Sequence, residues 1–150
     1  MSEYMMDILP LAGRGYCCSQ ILGLLALGAQ GRENADLIRA LGGLCHGMGQ
    51  CGATCGVLTG GACVLSLYLG KGADDETASE RADLAVSEFY DWFGERTAQY
   101  GGMTCADILG ECPEGKPDVS RCGELLSDAW GQLLAILAEQ GVDPSVPREE

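Results

Sequence analysis

From Gly42 to Leu69 the chain contains no Asp, Glu, Lys or Arg, although the whole 150-residue sequence carries a formal net charge of −13. The same stretch holds Cys45, Cys51, Cys55 and Cys63. A low-charge shell of this kind is what thiolates around a buried cofactor require. It is not a membrane span, because the apolar runs Ile21–Ala29 and Gly56–Leu69 both fall short of the ~20 residues that crossing a bilayer takes. The apolar mass is mainly Leu, Ala, Val, Ile and Met with few aromatics, which favours helices over strands. No segment shows strand alternation.

Helical spacing and punctuation divide the chain. Helices are expected at Cys17–Gln30, at Glu33–Leu44 (Leu37, Ile38, Leu41 and Leu44 on one face) and from about Cys51 to Leu69, closed by Gly70. Asp74-Asp75 reads as the acidic start of a long helix from Glu76 to about Gln99, with Leu84, Phe89, Trp92 and Phe93 as its apolar surface. Thr104 and Asp107 resemble a capping box for a short helix through Leu109. Residues Glu111–Asp118 read as a loop, and a last helix runs from about Val119 to Glu139. The expectation is an all-α, single-domain bundle of five to six helices. About 15 N-terminal and about 10 C-terminal residues are expected to be peripheral, the Pro-containing end frayed.

Composition excludes several functions. An acidic surface repels phosphates, so nucleic-acid binding is disfavoured. The start, Met1-Ser2-Glu3-Tyr4-Met5-Met6-Asp7, is acidic where a secretory signal is basic, which makes the cytoplasm the expected location. Nine cysteines there are expected to be reduced thiols, ligands or catalytic groups and not structural disulfides. No CxxC or CxxCH occurs, which argues against a thioredoxin-type site, a zinc ribbon, a bacterial ferredoxin motif and covalent haem. The one histidine, His46, can be at most a single ligand.

What remains is four cysteine segments near expected helix starts: Cys17-Cys18-Ser19-Gln20, Cys51-Gly52-Ala53, Thr104-Cys105-Ala106 and Arg121-Cys122-Gly123. Helix N-termini stabilise thiolates electrostatically. Cys51, placed at the start of the third helix, is the expected functional thiolate, with Cys55 one turn on and on the same face. Gly52, Gly56 and Gly60 form a bare stripe, costing up to ~1 kcal/mol each in a helix, which calls for close approach of another backbone or of a cofactor. Cys63 is read as a small core residue. By count, four thiolates hold an iron–sulfur cluster or a zinc ion equally well.

The order Cys18-Ser19-Gln20, then Cys51-Gly52-Ala53-Thr54-Cys55-Gly56 as a CGAxxG string, then Cys105 before a short helix, then Cys122-Gly123-Glu124-Leu125-Leu126, closely resembles the C_GCAxxG_C_C family of redox-active proteins. A similar domain occurs in split-Soret cytochromes beside an iron–sulfur centre. The resemblance implies Cys18, Cys51, Cys105 and Cys122 as ligands, with Cys17 and Cys55 as alternates. It implies a cluster such as [2Fe–2S] serving electron transfer with a redox partner protein, which the acidic surface suggests is basic. The alternatives are a thiol–disulfide enzyme or sensor using Cys51 with Cys55 or another resolving cysteine, and a zinc-binding structural or metal-delivery protein. A homodimer is compatible with the glycine-rich helices.

Overall fold

The computed structural model describes residues 4–110 and 119–148. It is all-α: α1 (Met5–Gly13), α2 (Cys18–Ala29), α3 (Ala35–Leu41), α4 (Gly56–Leu69), α5 (Ala82–Thr97), α6 (Cys105–Leu109) and α7 (Val119–Glu139). No strand occurs among the described residues, only one isolated antiparallel pairing, Thr54 with Thr104. The expected loop over residues 111–118, with Cys112, lies outside the described residues.

Helix α4, from the charge-free stretch, is the centre. It packs on α2, α5 and α7. Val57 and Leu65 of α4, Phe89 and Phe93 of α5, and Leu125, Leu133 and Leu137 of α7 are all fully buried. Each such large side chain contributes about 1.5–3 kcal/mol when removed from water. Glycines set how closely the helices approach. A Cβ at Gly60 would lie 2.7 Å from the Ser19 Cα, and one at Gly61 would overlap the Phe89 ring. Of the two readings of the glycine stripe, close backbone approach therefore accounts for Gly56 and Gly60.

Several expected boundaries move, each for a local reason. The third helix begins at Gly56 and not at Cys51, because Gln50 (φ 75°) and Gly52 (φ 70°) are left-handed and cannot continue a right-handed helix. Gly52 thus lies outside any glycine stripe. The long helix begins at Ala82 and not at Glu76, because the Glu76 carboxylate turns back to accept the Gly72 and Ala73 N–H groups at 2.6 and 3.0 Å. Leu84 is 54% exposed, one position off the buried Ala85–Phe89–Phe93–Thr97 face. Cys63 is exposed and not in the core, since α4 buries Gly60, Val64 and Leu65 and turns Cys63 and Ser66 outward. The Thr104 cap is as expected, its hydroxyl accepting the Asp107 N–H at 3.0 Å.

Described residues near both ends make tertiary contacts. Helix α1 buries Ile8, and Tyr4 N–H donates to Ser127 Oγ of α7 at 3.2 Å. Near the other end, Tyr68 OH donates to the Pro144 carbonyl at 2.8 Å, and Arg148 reaches the Tyr68 carbonyl at 3.1 Å.

Candidate redox site

Between α1, α2, α6 and α7 lies a cavity of about 790 Å³, with Met5, Ile8, Leu9, Ile21, Ile108 and Leu126 among its apolar lining. Cys18, Cys55, Cys105 and Cys122 all reach its wall. Three of the four stand at a helix start: Cys18 is the first residue of α2, Cys105 the first of α6, and Cys55 the residue that precedes α4. Cys122 lies in the first turn of α7.

Local hydrogen bonding explains the convergence. The strand-like pairing joins the two loops: Cys55 N–H donates to the Met103 carbonyl at 3.0 Å, and Cys105 N–H donates to the Ala53 carbonyl at 2.7 Å. Cys55 and Cys105 are thereby fixed as diagonal neighbours across the pairing, at the starts of α4 and α6. In Cys18-Ser19-Gln20, Gln20 accepts the Cys17 N–H at 3.2 Å and donates to the Ile38 carbonyl of α3 at 3.2 Å. Ser19 donates to the Leu41 carbonyl at 2.8 Å. These three bonds hold the start of α2, from which Cys18 lines the cavity.

The segment before Cys55 is a left-handed turn. His46, Gly47, Met48 and Gly49 all have φ between 57° and 69°, closed by a 2.9 Å bond from the Gly49 N–H to the Cys45 carbonyl. Left-handed backbone costs a non-glycine residue about 1–2 kcal/mol, so His46, Met48 and Gln50 hold real strain. At Gly47 a Cβ would lie 2.5 Å from the Ala53 nitrogen, so the turn is pressed directly against the Cys55 loop. His46 is exposed and borders the cavity.

Cys51 is placed differently from the sequence expectation. It is exposed, precedes α4 by five residues, and is absent from the cavity wall. The helix-start argument therefore applies to Cys55. The overlapping string Cys55-Gly56-Val57-Leu58-Thr59-Gly60 keeps the Cys-Gly and final Gly of the CGAxxG pattern and puts Val in place of Ala. Cys17 also touches the cavity but is joined to Cys45 in a disulfide, with Cα atoms 5.8 Å apart. This corrects the expectation that no cysteines pair, and in this state it takes Cys17 out of the possible ligands. A 28-residue separation of two half-buried cysteines gave no spacing signal in the sequence.

Three of the cavity thiols, Cys18, Cys55 and Cys105, resist ionisation. The Cys18 thiol is held well above its ordinary range, first by its hydrogen bond with Cys122, then by burial, and by the charges that Cys122, Cys55 and Cys105 would carry. Burial pushes Cys55 up to about 11, although the Val57 and Leu58 N–H groups pull the other way. Burial, then Cys122, raises Cys105. Desolvation outweighs the helix starts, so multiple thiolates here need a cation or must give up protons by forming a disulfide. Among the described residues, no group of three or more His, Cys, Asp and Glu side chains is arranged to hold a single metal ion.

A protein-family model described as "putative redox-active protein (C_GCAxxG_C_C)" matches residues 16–136. The chain belongs to this family. The C_GCAxxG_C_C match spans all four cavity cysteines and both overlapping Cys-Gly strings, and with the cysteine-lined cavity it gives the protein a redox role. No curated protein matches the chain, and no solved structure does. Among the described residues, no helix is long and apolar enough to cross a membrane.

Proposed function

We propose that Cys18, Cys55, Cys105 and Cys122 ligate an iron–sulfur cluster in the apolar cavity, making the protein an electron carrier or accessory redox unit in a reducing compartment such as the cytoplasm. The observation that carries this reading is that those four cysteines, from four separate elements, line one cavity. The donor set fits: four soft sulfurs, an apolar surround and little competing oxygen ligation. Bound there, a cluster would supply a one-electron couple. The residues' own part is to hold it, exclude water and limit hydrogen bonding to sulfur, which together set a potential. The acidic surface favours a basic partner whose association weakens with salt.

The test is anaerobic purification followed by iron and acid-labile sulfide analysis with an absorption spectrum. Stoichiometric iron and sulfide, lost in Cys55→Ser and kept in Cys51→Ser, is expected. Stoichiometric zinc without iron would overturn the reading.

One observation favours a second reading. The hydrogen-bonded pair Cys18–Cys122 could cycle between dithiol and disulfide without metal. In that case mild oxidation of the metal-free protein yields a Cys18–Cys122 disulfide by mass mapping, and iron analysis is negative.

A further inference from the structure

We infer that Cys17 and Cys45 form a second, reversible redox site, a two-electron disulfide/dithiol couple reduced by an external dithiol, and that Ser19 sets its poise by binding the reduced form. Cys17 borders the same cavity and adjoins Cys18, but none of the four cavity cysteines takes part in this couple.

The argument starts from Ser19. Its side chain is fully buried, beyond the reach of water. Its single hydroxyl hydrogen goes to the Leu41 carbonyl at 2.8 Å. Its oxygen then faces Cys17 Sγ at 3.3 Å and Cys45 Sγ at 3.7 Å. A hydroxyl oxygen has two acceptor sites, and a disulfide offers no hydrogen to either. In the oxidised state both are therefore unmet in a dry environment, which is unfavourable. Reduction places an S–H on each sulfur, and both sulfurs already lie within hydrogen-bonding reach of that one oxygen. Ser19 thus stabilises the dithiol selectively.

Both cysteines are held in place without the disulfide. The Cys17 N–H is bound by Gln20, and the Cys45 carbonyl accepts the Gly49 N–H. Reduction therefore leaves the two sulfurs close enough to re-form the bond. Cys17 is only half-buried, which gives a reductant a route from solvent.

The chemistry balances with a dithiol as co-reactant. One thiolate of the dithiol attacks Cys17 Sγ, the Cys17–Cys45 bond breaks, and Cys45 leaves as a thiolate that takes up a proton. The second thiol of the dithiol then attacks the mixed disulfide, expelling Cys17 as a thiolate that takes up the other proton. The dithiol ends as a disulfide, and the chain gains two electrons and two protons.

The experiment equilibrates the native full-length protein in mixtures of reduced and oxidised dithiothreitol, quenches with acid, alkylates and maps the peptides. Cys17 and Cys45 are expected to change together in one two-electron transition. Ser19→Ala is expected to shift that equilibrium about tenfold toward the disulfide, which is about 30 mV. The Raman S–H stretch needs no variant: the reduced-minus-oxidised spectrum of the wild type should show bands lowered by hydrogen bonding. A pair that stays oxidised throughout, or sulfurs found in another pairing, would overturn the couple. S–H bands at the free-thiol position, or a folded Ser19→Ala variant with an unchanged midpoint, would overturn the role of Ser19. Iron content read on the same samples separates these outcomes from those of the cluster reading.

Discussion

Replacing Gly60 with Ala should destabilise the protein, although Ala is the better helix former. A Cβ at this position would lie 2.7 Å from the Ser19 Cα and 2.9 Å from its Cβ. Carbon contacts are relaxed near 3.5–4.0 Å, so α2 and α4 would have to part by roughly 1 Å. Overpacking of this kind costs about 1–3 kcal/mol, offset by about 1 kcal/mol of helix propensity. The net expectation is a loss of up to about 2 kcal/mol, or up to about 8 °C in Tm for a domain of this size. Because Ser19 sits between Cys18 and the Leu41 carbonyl, the same displacement shifts Cys18 relative to Cys55 and should weaken whatever the four cysteines hold. The comparison variant is Gly28→Ala, also in a helix, where a Cβ meets nothing within 4 Å. It should gain about 0.5–1 kcal/mol. Thermal and urea denaturation followed by circular dichroism read both. Equal effects of the two substitutions, or a stabilised Gly60→Ala, would refute the claim that the α2–α4 crossing is set by glycine.

Other expectations follow from the same geometry. Gly47→Ala should cost at least ~2 kcal/mol in urea unfolding, because its φ is +67° and the new Cβ would strike the Ala53 backbone, which cannot move aside. Thr104→Ala should cost about 1 kcal/mol by removing the cap of α6, and it should loosen Cys105, seen as faster alkylation of that thiol. Iodoacetamide at neutral pH should label exposed Cys51 and Cys63 well before Cys55, whose labelling should accelerate only as pH approaches about 11. The same shift has a thermodynamic sign. Cys55 ionises more easily unfolded, so the metal-free protein should keep its stability below about 9 and lose it as pH rises from there toward about 11, measured by urea unfolding.

The helices were legible where periodicity and caps are local. The Thr104 cap, the close of α4 at Gly70 and the span of α7 follow from residue types a few positions apart. The start of α4 was not legible in the same way. Cys51-Gly52-Ala53-Thr54-Cys55-Gly56 reads as helix by spacing, yet its conformation is decided by pairing with residues 103–106, a third of the chain away. That displacement carried the site with it. Two Cys-Gly strings overlap four residues apart, and only tertiary contact decides which cysteine stands before the helix. The Cys17–Cys45 disulfide and the engagement of α1 with α7 are likewise long-range facts with no local signature. That Cys18, Cys105 and Cys122 line one cavity fits the expectation from their places near helix starts, whereas Cys55 stands there in place of Cys51.

The central claim is that Cys18, Cys55, Cys105 and Cys122 act as one redox centre and Cys51 does not. It is tested most directly by iron and acid-labile sulfide content, with the visible spectrum, in anaerobically prepared single Cys→Ser variants at these five positions. The account predicts loss of the chromophore in each of the four cavity variants and full retention in Cys51→Ser. A chromophore that survives Cys55→Ser and vanishes in Cys51→Ser would contradict it.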